Sequence, residues 1–155
     1  MEQGDKTTEN RLLAAVTHFS IVVQGIGILL GVYLYVSQRE KSRYVAFQAL
    51  QAAIFQLINL VITIALWLLW GVLYGLSMIP LIMQAEANPD AAPPAVFWIS
   101  MILMVVPLFY MIITGLYGLW GGLRAWQGKD FQYLLVGSWL EKRGFWKKET
   151  ALEQV

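Results

Sequence analysis

No cysteine occurs anywhere in the 155 residues, which excludes disulfides, thiolate metal sites and cysteine nucleophiles and leaves the redox compartment unread. Histidine occurs once, as His18. Charged residues are scarce, at 14%, and nearly balanced at a net +1, so no bulk basic character points to nucleic acid. The largest absence is of charge between Tyr44 and Ala85, a run of 42 residues, where ~18 to 20 suffice to mark a membrane-spanning helix. What is present instead is apolar: 58% of the chain is hydrophobic and 14% aromatic, a composition of the membrane class and not of a soluble domain.

Around that run the chain divides readily. Residues 1–10, MEQGDKTTEN, are polar and lack the basic start of a cleavable signal peptide, so a retained N-terminal tail is expected. Thr8 or Asn10 is the expected cap of the helix that follows. Leu12 to Gln38 carries no formal charge and reads as a first span over about 12–37. The hydrophilic turn Ser37 to Arg43 leads to a second span over 44–84, and the loop Glu86 to Pro94, with its Asn-Pro and Pro-Pro steps, leads to a third over 96–124. Pro107 predicts a kink there, and Trp98, Trp120 and Trp126 lie near its ends as aromatic belts do. The expected fold is thus an all-α integral membrane protein: three transmembrane helices, the second of them long, in a membrane domain over 11–140. A cytoplasmic interfacial C-terminal segment and a charged tail over 141–155 follow.

The second span is too long for one crossing, since 42 helical residues run ~60 Å, about twice the hydrocarbon thickness. Either Tyr44 to Gln56 lies along the interface, or the chain bends back between Gly71 and Gln84 with the help of Pro80. Orientation follows from the basic residues. With three spans, Arg39, Lys41, Arg43, Arg124, Lys129, Lys142, Arg143, Lys147 and Lys148 share one side and only Lys6 and Arg11 the other. That asymmetry places the N-terminus outside and the C-terminus in the cytoplasm. Beyond Gly128, the tail carries Phe131, Tyr133, Trp139, Phe145 and Trp146 among Lys and Arg, as in a segment held at headgroup level, with Lys142, Arg143, Lys147 and Lys148 on anionic lipid.

Polar side chains inside the long run share one face. At ~100° per residue, Gln48, Gln51, Gln56, Asn59 and Thr63 fall in one arc, with Ser77 further along, while Leu50, Leu57, Val61, Ile64 and Leu68 lie opposite. Amides in hydrocarbon need partners, so this stripe is expected to face other helices, another subunit or a wet pathway. Small-xxx-small pairs recur in each apolar stretch: Gly27 with Gly31 on the face of Ala14, Thr17 and Gln24, then Gly71 with Gly75, and Gly118 with Gly122 beside Thr114. Close helix packing in a bundle or oligomer is expected from them.

Chemistry is sparse. His18 is the one ionisable residue well inside a span, either a structural histidine or an axial ligand to haem or a chlorophyll-type pigment. No cofactor is otherwise indicated. Ser20 points to a different side of the helix from His18, no carboxylate lies in a span for proton coupling, and no phosphate loop is present. An enzyme is therefore not expected.

Thr17-His18-Phe19-Ser20, then Ser42, Val45, Phe47, Ala49, Gln51, Ala52, Phe55 and Gln56, resemble small bacterial relatives of the twenty-kilodalton Tic subunit of the chloroplast import translocon. Gln48 stands where that pattern has histidine, and Ala125, Gly128 and Tyr133 echo its close. The resemblance implies a scaffold or translocon-like subunit acting by helix contact. Two other readings stand beside it: an accessory subunit of a respiratory or photosynthetic complex, and a small oligomeric channel or transporter lined by the amide stripe. The expected partners are the lipid bilayer and other membrane subunits or further copies of the chain, with no nucleic acid.

Overall fold

The computed structural model describes residues 6–23 and 25–145. Among them every regular element is helical and no strand occurs. The first helix, α1 (Thr8–Phe19), is capped one residue earlier than expected: Thr7 Oγ1 accepts from the Asn10 amide at 3.2 Å. Glu9 in its first turn favours the positive end of the helix dipole.

The expected first span is not one helix. α1 ends at Phe19, a 3₁₀ turn occupies Ser20–Val22, and α2 (Ile26–Gln38) starts after Gly25, whose φ of 86° suits glycine alone. The Ser20 hydroxyl contributes to the break by donating to the Thr17 carbonyl at 2.7 Å, a local bond that competes with the helical ladder. The two pieces have 12 and 13 residues, or ~18 and ~20 Å, and neither matches a ~30 Å hydrocarbon layer.

α3 (Arg43–Ala87) is continuous for 45 residues. Its entry is fixed by Ser42, whose Oγ accepts from the Val45 amide at 3.2 Å. A bend between Gly71 and Gln84 is not found, and Pro80 is accommodated inside the helix. The chain leaves it at Asn88, whose side chain accepts from the Asp90 amide at 3.2 Å. The third apolar stretch is two helices in succession, α4 (Ala95–Leu103) and α5 (Val105–Trp126), joined at Met104. Pro107 has no N–H for the Leu103 carbonyl, and the ladder resets just before it, the Met104 amide bonding Met101 at 3.2 Å. A short α6 (Val136–Lys142) ends the described chain.

Two compact units result, Met1–Leu60 with Gly115–Val155, and Val61–Thr114. In the first, α1 runs beside the opening turns of α3: Lys6 lies over the Tyr44 ring, His18 reaches Gln48, and the Thr17 carbonyl meets Gln56. α2 then returns along the same turns, since a Cβ on Gly27 would strike Gln56 and one on Gly31 would lie 2.9 Å from Ala53 Cβ. The pair is a helical hairpin laid on the first part of α3, with both its ends at the Tyr44 end. Buried alanines (Ala14, Ala15, Ala49, Ala52, Ala53) make the close approach feasible. Gly118 and Gly122 of α5 receive Ile21 and Phe19 in the same way.

The second unit is a pair of long apolar arms. Its polar contacts are few: Ser77 and Ser100 share a hydroxyl bond of 2.8 Å, and Trp70 Nε1 donates to the Ser100 carbonyl at 3.0 Å. Val61, Leu68, Val72, Leu76 and Ile79 of α3, and Val106, Phe109 and Ile112 of α5, are exposed. Arg43–Ala87 and Ala95–Trp126 are the two segments long and apolar enough to cross a membrane; three spans are not found among the described residues.

The C-terminal segment also departs from expectation. Phe131 and Tyr133 are buried in the core of the first unit with Val136 and Leu140, while Leu134, Leu135, Trp139 and Phe145 are exposed. An interfacial role is thus removed from two of the five aromatics, and Trp146 lies outside the described residues.

The glycine contacts make a direct prediction. Gly31→Leu forces its side chain into Ala53 and the Ala49 carbonyl and should destabilise the folded protein by about 1–3 kcal/mol, whereas Gly75→Leu, with nothing within 4 Å of its Cβ position, should leave it at least as stable as before. Thermal unfolding in mild detergent reads both; equal losses would sink the close-approach account.

Candidate functional site: a buried histidine and amide cluster

The polar stripe of α3 begins at the place where the chain after α5 returns to it. Residues 129–133 belong to no helix or strand, so the buried Phe131 carbonyl and Tyr133 amide need partners from outside a regular ladder. Gln48 and Gln51 supply the partners. The Phe131 carbonyl accepts from Gln48 Nε2 at 3.2 Å and from Gln51 Nε2 at 2.8 Å, and the Tyr133 amide donates to Gln51 Oε1 at 3.3 Å. Two side-chain amides thereby act as a substitute strand edge for the returning chain. Gln51 Nε2 also bonds Gln48 Oε1, which ties the two together.

His18 completes the cluster. Its Nε2 lies 2.9 Å from Gln48 Oε1 and its Nδ1 3.0 Å from the Tyr133 hydroxyl, and the ring is fully buried. The amide oxygen can only accept, so Nε2 carries the proton, and the lone pair on Nδ1 receives the tyrosine O–H. Both nitrogens of a neutral imidazole are thus engaged. Around them Tyr133 stacks on Phe55 at 3.8 Å and 10°, and Phe131 meets His18 edge-on at 5.5 Å. Tyr117 closes the aromatic ring set against Phe55, Phe131 and Tyr133, and its hydroxyl accepts from the Leu134 amide at 3.3 Å.

Further along α3 the stripe changes partners. Gln56 Nε2 donates to the Thr17 carbonyl at 2.9 Å and lies 3.2 Å from Ser20 Oγ, so it caps the C-terminal end of α1. Asn59 turns back on its own helix to the Phe55 carbonyl at 2.7 Å. Thr63 is buried with no partner for its hydroxyl, as is the Gln56 Oε1 atom. Gly71 and Gly75, unlike Gly27, Gly31, Gly118 and Gly122, meet nothing within 4 Å. Gln24, Lys147 and Lys148 lie outside the described residues; of the remaining basic pair, Arg143 stacks over Trp139 at 5.2 Å and Lys142 closes α6.

A second set of contacts holds the returning chain from the other terminus. Lys6 pairs with Asp130 at 2.8 Å and donates to the Gly128 carbonyl at 3.3 Å, and the Tyr44 hydroxyl donates to the Ala125 carbonyl at 3.2 Å. The N-terminal segment, the Arg39 turn and the chain after α5 therefore meet at one end of the first unit. That ion pair lends no support to an N-terminus on the opposite side from the C-terminal segment, the arrangement expected from three crossings; the first apolar stretch is broken into α1 and α2.

A family model matches residues 9–140, from α1 to α6 and including every residue of the cluster. The chain belongs to the MamF/MmsF family, the magnetosome magnetite crystal formation proteins. No curated protein and no solved structure matches it. Membership overturns the resemblance to the Tic subunit and with it the translocon-like reading. The Ser42 to Gln56 pattern that carried that resemblance is, in this MamF/MmsF chain, a packing surface of small residues and amides facing α1, α2 and the returning chain.

Residues that sequence reasoning missed are Phe131 and Tyr133, which the aromatic content of the tail assigned to lipid, and Tyr117 of α5, which it did not single out. The alternation Phe131-Gln132-Tyr133 after Gly128 is the available signal, since period two marks an extended segment with one face buried. Removing a cluster amide tests its structural weight. Gln51→Leu strands the buried Tyr133 amide and should cost about 1–3 kcal/mol, while the exposed Ser138→Ala should change stability by less than about 0.5 kcal/mol, both read by unfolding in detergent.

Proposed function

We propose that this protein is a non-enzymatic structural component of the membrane that surrounds growing magnetite, contributing to crystal formation through its helices and not through catalysis. Its family supports the setting. The observation that carries the non-enzymatic reading is the complete internal use of the polar cluster: the imidazole of His18 and the amides of Gln48 and Gln51 all bond within the chain, leaving no activated nucleophile or open base. In this reading His18 is a strut and holds no haem or pigment, because a ligated iron would have to displace the Tyr133 hydroxyl from Nδ1.

In the membrane the same reading gives two crossings, α3 and the α4–α5 pair, with the α1–α2 hairpin entering and leaving by one face. Lys6 and Arg11 then lie on the cytoplasmic side with the basic residues of the Arg39 turn and of the chain after α5, which satisfies the positive-inside rule more fully than a division that sets the two apart. The loop between α3 and α4, which carries Asp90, lies on the other side in this reading.

The absence of native cysteine makes the topology testable with single introduced thiols. Glu9→Cys and Ser138→Cys should react together with a membrane-impermeant maleimide, and Asp90→Cys only from the opposite side; reaction of Glu9→Cys together with Asp90→Cys would restore the three-span arrangement. For the role itself, deleting the gene in a magnetite-forming host should give fewer or smaller crystals in electron micrographs, restored by the intact chain and by His18→Gln if it folds. Normal crystals in the deletion strain would refute the proposal.

A further inference from the structure

A cleft lies beside the Arg39 turn, apart from the buried histidine and amide cluster. It has a volume of about 130 Å³ and is lined by Tyr35, Arg39, Arg43, Ala46, Phe47, Leu50 and Phe145. Its floor and walls are aromatic and aliphatic, and its charged members are both guanidinium groups. Arg39 makes only a long contact of 3.7 Å with the exposed Glu40, and Arg43 has no acidic partner among the described residues. The positive end of the 45-residue α3 starts at Arg43 and adds to the field.

We propose that this cleft binds the headgroup of an anionic phospholipid, with the phosphate between Arg39 and Arg43. Charge complementarity selects the occupant: two arginines lining one cleft suit phosphate oxygens, which guanidinium groups bind in bidentate fashion. The walls decide between a lipid and free phosphate. Inorganic phosphate gains nothing from Tyr35, Phe47 and Leu50, whereas the glycerol and first methylenes of a lipid bury apolar surface against them. Beyond the cleft the outward residues of α2, Leu29, Val32 and Val36, are exposed and apolar at helical spacing, a track along which an acyl chain can lie. The site sits at the Tyr44 end of the first unit, where Lys6 lies over the Tyr44 ring and pairs with Asp130, the level proposed for the headgroup layer.

The test uses the full chain purified in mild detergent, with phosphatidylglycerol, phosphatidylcholine or inorganic phosphate added, and reads lipid retention by native mass spectrometry and the unfolding midpoint. Phosphatidylglycerol alone should be retained and should raise the midpoint. Arg39→Gln with Arg43→Gln should lower that retention by at least roughly tenfold, with helical circular dichroism unchanged, while Lys142→Gln with Arg143→Gln should retain it. Equal retention of phosphatidylcholine would mean an unselective lipid annulus, and an equal effect of inorganic phosphate would mean a plain anion site; either result overturns the proposal. So does undiminished retention in the Arg39 and Arg43 variant. None of these outcomes depends on whether the protein affects crystals.

Discussion

The Phe131 carbonyl is the point on which the first unit depends. After α5 ends at Trp126 the chain turns and runs without helix or strand from 129 to 133, burying Phe131 and Tyr133 where an unpaired peptide group costs several kcal/mol. A helix cannot lend its own backbone to pair it, because its N–H and C=O groups are already spent. Side-chain amides can, since a glutamine presents both a donor and an acceptor in the geometry of a peptide. Gln48 and Gln51, one turn apart on α3, do so for Phe131 and Tyr133. Once that segment is held, Tyr133 projects its hydroxyl to His18 and its ring onto Phe55, and α1 is drawn in.

The hairpin of α1 and α2 follows from the same economy of space. Alanines on α1 and α3 and glycines on α2 set how closely three helices lie, and in lipid that closeness supplies much of the attraction, because lipid tails offer helices no hydrophobic reason to associate. Gly27 and Gly31 occupy positions where a methyl group already collides. The hairpin turns at Gly25, α2 comes back along α3, and Lys6 reaches Asp130. A short ion pair at the mouth of the unit and a buried neutral histidine deeper in it fasten the same two segments of chain at two depths.

The two units answer different needs. The first satisfies its polar groups internally; the second exposes apolar side chains along most of its length and keeps one serine pair and one tryptophan bond inside. The motif from Ser42 to Gln56 resembled another membrane family because small residues and amides at helical spacing are what a close-packed helix in an apolar setting requires. That constraint is physical and is shared by unrelated roles.

The absence of charge over 42 residues was enough, without coordinates, to determine that the chain is helical and belongs to the membrane class, because a backbone in hydrocarbon has few other ways to pair itself. Helical period alone also determined that Gln48, Gln51, Gln56, Asn59 and Thr63 share a face. Tertiary structure decided what that face meets, since the partners Phe131 and Tyr133 lie 80 and 82 residues away from Gln51 along the chain and no local pattern encodes a contact at that distance. It also decided how the first apolar stretch is used. An uncharged run of 27 residues from Leu12 to Gln38 is long enough to cross, and whether it crosses or turns back depends on a glycine at positive φ, a serine bonded to its own helix and an ion pair with Asp130, features that acquire meaning only when the far ends of the chain are brought together.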